Sequence, residues 1–128
     1  MKIMRERRGL PGSTNFPEAE RYLPVRPSAF AVMAALAEGP KPGVQILERL
    51  EGIGSGILGP GTLYRVLREL RQERLIERVA APEGEAVGDD RQQFHALSVL
   101  GRRVLEAEAE RLRRTLAVAA AGDRTRHS

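Results

Sequence analysis

Between residues 61 and 72 the chain sets Thr62, Tyr64, Arg65, Arg68, Arg71 and Gln72 among four apolar residues, Leu63, Val66, Leu67 and Leu70. The apolar set has the spacing that a helix buries as one stripe. A helix turns about 100° per residue, so Arg65, Arg68 and Gln72 point away from that stripe. Thr62 and Glu69 flank them on one side, Tyr64 and Arg71 on the other. Such a row suits the edges of bases: a guanidinium can donate two hydrogen bonds to guanine, and a glutamine amide can pair with adenine. Thr62 and the free backbone N–H groups at the helix start, around Gly61, can hold a phosphate. An ordinary solvated face is the plainer reading, and for an isolated helix it would win. The helix's place in the chain decides between the two.

Upstream, Pro27-Ser28 opens a first helix, with Phe30, Val32, Met33, Leu36 and Ala37 apolar and Gly39-Pro40 as its stop. Lys41-Pro42-Gly43 reads as a turn. A second helix runs to Glu51, with Val44, Ile46, Leu47 and Leu50 on its inner face. A glycine-rich loop then leads to Pro60, which suits the first turn of the third helix, ending near Arg74. There the period changes. Residues 75–80 and 92–97 read as antiparallel strands around a loop at 81–91. Ser98 is placed to cap a last helix reaching about Ala121. In that helix Leu105, Ala109, Leu112, Leu116 and Ala119 recur at the spacing of a helix–helix seam.

The order predicts a mostly α (α+β) fold, a winged helix-turn-helix with a long C-terminal dimerisation helix. The third helix is then the one a helix-turn-helix lays in the major groove. Four segments are expected: a flexible basic arm at 1–26, the winged helix-turn-helix DNA-binding domain at 27–97, the dimerisation helix at 98–121 and a disordered tail at 122–128. The seam has no partner within so short a chain, so a homodimer is the economical expectation.

Composition narrows the alternatives. With 128 residues and 41% hydrophobic content, the chain can build one modest core. It has no cysteine, which excludes thiolate zinc sites, iron–sulfur clusters and a cysteine nucleophile. His95 and His127 are the only histidines; His95 has no Cys, Asp or Glu beside it at ligand spacing, and His127 lies in the tail. His95 is expected to be structural or solvent-exposed. Five aromatics and no tryptophan leave little for base-stacking platforms. The net charge is +4, with arginine supplying 19 of the 21 positive side chains, which favours phosphate-bearing partners. Residues 54–59 match the G-x-G-x-x-G dinucleotide pattern but follow a helix rather than a strand, so they read as a turn. Glu106, Glu108 and Glu110 among five arginines read as a solvated helix surface. No catalytic constellation emerges, so no enzyme, cofactor or metal is expected. No apolar run approaches a membrane span, and the first residues lack a signal peptide's apolar stretch, so the expected location is the cytoplasm.

Gly59-Pro60-Gly61-Thr62-Leu63-Tyr64, then Leu67, Leu70 and Leu75-Ile76-Glu77, resemble the PadR family of bacterial transcriptional regulators. Ala35 to Pro40 with Gly43, and Asp89-Asp90-Arg91, Phe94, Leu97-Ser98 and Gly101 to Leu105 resemble its neighbouring segments. The likeness covers about residues 25–121, and the single short last helix resembles the smaller subclass. It implies a homodimeric repressor on a pseudo-palindromic DNA operator. Thr62 and Tyr64 would make phosphate or groove contacts, and Arg91 would do so from the wing. A small-molecule effector also fits the family, although no residue here selects its identity. The sequence departs from the family at Arg65, where proline is common, and in a wing carrying Glu83, Glu85, Asp89 and Asp90 against Arg91. That acidic wing favours a rival reading, a winged-helix protein-interaction module without DNA binding. The arginine row opposes it.

Overall fold

The computed structural model describes residues 17–54, 58–82 and 93–127. Five helices and three short strands follow in order: α1 (Pro17–Glu20), α2 (Pro27–Ala37), β1 (Lys41–Pro42), α3 (Gly43–Gly52), α4 (Pro60–Gln72), β2 (Ile76–Val79), β3 (Phe94–Leu97) and α5 (Val99–His127). The sheet is antiparallel in the order β1-β3-β2. Its strand β3 pairs Arg78 with His95 on one side and Lys41 with His95 on the other. The expected winged helix-turn-helix is present, with a third strand the sequence did not disclose. Lys41-Pro42, expected as a turn, is too short to carry a period of two. Its proline lacks an N–H and therefore suits an edge strand.

The core lies around α2, whose Val32, Met33 and Leu36 are buried against Ile46 and Leu50 of α3 and Leu63, Val66, Leu67 and Leu70 of α4. All four residues of the α4 stripe are within 1% of full burial, so its opposite face must point outward. Pro60 begins α4, as a residue with no N–H can at no cost. The helix ends with two backbone bonds, Arg74 N–H to the Arg71 carbonyl (3.0 Å) and Leu75 N–H to the Leu70 carbonyl (2.9 Å). That pattern needs a left-handed residue at the first position beyond the cap, and Arg74 takes it with φ 65°. A side chain there costs about 1 kcal/mol relative to glycine. Arg74→Gly is therefore expected to raise the thermal midpoint by a few degrees, roughly 4–8 °C per kcal/mol for a domain near this size. Thermal unfolding followed by circular dichroism checks it.

Two boundaries differ from expectation. Residues 17–26 are not part of a free arm: Ala19 is fully buried, and Tyr22, Leu23 and Val25 pack on the core, with α1 lying against α5. The prolines at 17, 24 and 27 break any period that would have announced this. Residues 1–16 of the expected arm lie outside the described residues. The last helix does not end at Ala121 but continues through Gly122 to His127, so the expected tail at 122–127 is helical. Ser98 does cap it: its Oγ accepts from Gly101 N–H (2.9 Å) and donates to the Arg74 carbonyl (2.7 Å).

Candidate nucleic-acid interface

Helix α4 presents Tyr64, Arg65, Arg68 and Gln72 to the outside, with Gly61 exposed at its start and Thr62 and Arg71 half-buried. The six side chains thus share one exposed surface. Arg65 is not wholly free, because its guanidinium lies 3.7 Å from Glu69, which Arg26 also holds at 2.9 Å. Hydrogen bonding from Arg26, aided by the charges of Arg65 and Arg68, holds the Glu69 carboxyl below its usual range. Arg26 thereby neutralises the one acid on this face that would repel a phosphate.

Tyr64 leans over the start of α3. A Cβ on Gly43 would come within 3.0 Å of the Tyr64 hydroxyl and 3.1 Å of its ring, so a larger residue at 43 would push the tyrosine aside by a few tenths of an ångström. Beside Tyr64, a groove of about 580 Å³ opens between α4 and the sheet, where Arg68, Arg71 and Arg78 converge with Gln93 and His95. None of its described lining residues is acidic, and among the described residues none of the three arginines forms an ion pair. Burial, then the charges of Arg78 and Arg68, push the Arg71 guanidinium below its ordinary value. Arg74 joins Arg71 and Arg78 around a second, shallower concavity. Among the described residues, the sheet side of α4 therefore gathers Arg68, Arg71, Arg74 and Arg78 against one acid, Glu77.

Arg74 and Arg78 were not among the site residues read from sequence, and His95 was expected only to be structural or solvent-exposed. Arg74 continues the run 65, 68, 71 at intervals of three, a signal that was open to reading. Arg78 joins the site only through strand register, which spacing does not reveal. His95 is buried, at 5% exposure, with Nδ1 lacking a partner among the described residues. Burial first, then Arg71 and Arg78, push its imidazole down to about 4, so it is neutral at pH 7. Arg91 and the acids Glu83, Glu85, Asp89 and Asp90 lie outside the described residues. Residues 55–57 of the G-x-G-x-x-G string do as well, and Gly54, with φ 72°, ends α3 as a turn residue should.

The seam residues of α5 divide into two groups. Leu105 packs partly on its own domain, and Ala109 and Leu112 are half-buried, whereas Leu116 and Ala119 are exposed. From Arg113 to Gly122 every residue is exposed, including Val118 at 73%. Next to Leu112 an apolar groove of about 770 Å³ runs between α2, α3 and α5, with Phe30, Ala34 and Ile53 in its walls. One element of the α5 surface is not solvated as expected. Glu108 is 1% exposed, bound twice by Arg111 (2.8 and 2.7 Å) and by the Val25 backbone, and these bonds keep its carboxyl low despite burial. The bond to the Val25 backbone ties the segment before α2 to α5.

The family model of PadR-like transcriptional regulators matches residues 32–107, from the middle of α2 into α5. The chain belongs to this family. PadR-like proteins are DNA-binding transcription regulators and not enzymes. A PadR family regulator from hypervirulent Clostridium difficile superposes with a TM-score of 0.64 at 21% identity, over 73% of this chain and 95% of the other. A PadR-like regulator from Bacillus cereus gives 0.63 at 14% identity, over 73% and 87%. ZitR of Lactococcus lactis gives 0.59 at 20% identity, over 84% and 71%. These likenesses show a shared PadR fold. An uncharacterised 37.1 kDa protein of a Streptomyces fradiae transposon is 36% identical over 83 residues, which are 65% of this chain and 22% of that protein. This chain thus spans about a fifth of that relative. No helix among the described residues is long and apolar enough to cross a membrane.

Proposed function

We propose that this PadR-like protein is a homodimeric repressor that reads a pseudo-palindromic DNA operator with α4. The observation that carries the reading is the outward face of α4, where Tyr64, Arg65, Arg68 and Gln72 stand beside an arginine groove with no acid among its described lining residues. Arg65, Arg68 and Gln72 take the base edges, and Gly61 and Thr62 take a phosphate at the helix start. A second copy covers the exposed half of α5 and the apolar groove beside Leu112. Two α4 helices then reach half-sites about 34 Å apart, one turn of the duplex. Arg91 is assigned a contact with the same DNA, and the negative charges of Glu83, Glu85, Asp89 and Asp90 in the same stretch of sequence act against it.

Selection of bound fragments from the source genome tests this reading. It is expected to return an imperfect inverted repeat. Arg68→Ala should weaken binding to that fragment by about 1–3 kcal/mol and to unrelated duplex by much less. Equal losses on both would reassign Arg68 to the phosphates. The acids clustered at residues 83–90 favour the protein-interaction reading, which predicts that no fragment is enriched.

A further inference from the structure

We propose that the groove between α4 and the sheet is a phosphodiester site, in which Arg71 and Arg78 hold a DNA backbone phosphate and His95 takes up a proton as it binds. The inference rests on the DNA-binding reading above and adds a linkage to it: affinity for duplex falls as pH rises.

The geometry comes first. Arg71 reaches the groove from α4 and Arg78 from β2, with Arg68 at the rim nearer the bases. His95 lines the same groove and is opposite Arg78 in the strand register. A buried structural histidine normally satisfies its ring nitrogens, because an unpaired buried polar atom costs about 1–3 kcal/mol. Nδ1 of His95 is buried without a partner among the described residues. The groove beside His95 therefore offers an anionic group three guanidiniums and no acid among its described lining residues.

The charges around His95 give the sign. From α4 it faces Arg71 and Arg68 together with the Tyr64 phenol, and from β2 it faces Arg78. On β1, Lys41 is opposite it, already paired with Glu38 at 3.3 Å, and that carboxylate is also held by Arg49 at 2.7 Å. Helix α2, which packs on β3, has no charged side chain between Pro27 and Ala37. Helix α5, which also packs on β3, has Arg102, Arg103 and Glu106 beside Leu97 and Ser98 rather than in this groove. Among the described residues the charges lining the groove are positive, and burial, then Arg71 and Arg78, keeps the ring neutral in the free protein. A phosphodiester between Arg71 and Arg78 cancels that field and offers acceptor oxygens to an imidazolium. Protonation then becomes favourable only in the complex. Between the free value of about 4 and the higher value in the complex, binding consumes a proton, so affinity is greatest at the acid end.

The test uses the full chain and a labelled mixed-sequence duplex at fixed ionic strength, because a phosphate contact does not require the operator. Between about pH 5 and about pH 6.5 the wild type should lose affinity about threefold to tenfold more per pH unit than His95→Gln, which cannot titrate. The difference between the two slopes is the readout, since acids of the wing titrate equally in both. A second measurement needs no variant. The chain has two histidines, so the ring signals of His95 and His127 can be followed by magnetic resonance. Duplex should move the His95 titration upward toward about 6.5, the ordinary histidine value. Equal slopes, or a His95 titration unmoved by duplex, would overturn the proposal while leaving DNA binding intact. An equal upward move caused by inorganic phosphate alone would also overturn it, making the groove a free-anion site. Absence of salt-dependent duplex binding at every pH would overturn both readings together.

Discussion

Replacing Gly101 with alanine is expected to cost about 3–5 kcal/mol of stability, a large share of the roughly 5–15 kcal/mol of an ordinary domain. Gly101 lies in the first turn of α5, and a Cβ there would fall on the carbonyl oxygen of Leu75. That oxygen also accepts the Ser98 N–H at 3.0 Å, while Ser98 Oγ links the Gly101 N–H to the Arg74 carbonyl. Backbone meets backbone at this junction, so no side chain can swing away to make room. Relief requires α5 to retreat from the end of α4, breaking the cap and unseating Val104, which is fully buried. The thermal midpoint should fall by roughly 15 °C or more. Gly122→Ala in the same helix is the control. Nothing lies within 4 Å of a Cβ at Gly122, so that change should be neutral or stabilise by up to about 1 kcal/mol. Equal midpoints for the two variants would show that α5 is not docked on the α4 terminus in this way.

The second large effect concerns self-association. Leu112→Lys with Leu116→Lys places two ammonium groups on the surface assigned to a second copy. Leu112 is half-buried beside the apolar groove, and Leu116 is 66% exposed on the stretch from Arg113 to Gly122 that is exposed throughout. Between Arg113 and His127 the helix projects for about 22 Å at 1.5 Å per residue, and an isolated helix of that length is marginal in water. A partner that buries its apolar side resolves this. Desolvating a charge at such a seam costs several kcal/mol, so the double variant should sediment as a monomer where the wild type sediments as a dimer. The monomer should keep the helical signal of the first half of α5, anchored by Gly101, Val104 and Glu108, and lose part of that from Arg113 onward. Operator affinity should fall with dimerisation, since one copy engages one half-site. A wild-type monomer, or an unchanged dimer in the variant, would remove α5 as the interface.

What could be read from the sequence was what had a period or a cap. The α4 stripe fixed both the burial of Leu63, Val66, Leu67 and Leu70 and the outward aim of Arg65, Arg68 and Gln72. Ser98 marked the start of α5 because a hydroxyl before a helix has one obvious use. Ala19, Tyr22, Leu23 and Val25 were hidden because prolines interrupt them, and they fold onto α5 only through contacts distant in sequence. Arg78 and His95 were hidden for a different reason. They come together through the register of β2 on β3, and a one-residue slip would place them on opposite faces. Glu108 was misread as solvated because α5 carries charges on every side, and only packing against Val25 distinguishes it. The helix was expected to end near Ala121, where the apolar seam stops, yet it runs on through Gly122, which a helix tolerates at modest cost.

The central claim is that α4 and the arginines beside it bind duplex DNA. Its most direct test is the salt dependence of binding to a labelled duplex, compared between wild type and the Arg68→Ala, Arg71→Ala double variant. For the wild type, the logarithm of affinity should fall linearly with the logarithm of salt concentration, by about 0.9 per phosphate contact. The double variant should bind at least about tenfold more weakly at low salt, with a slope shallower by about one to two. A wild type that fails to bind, or a double variant with the same affinity and slope, would contradict the account.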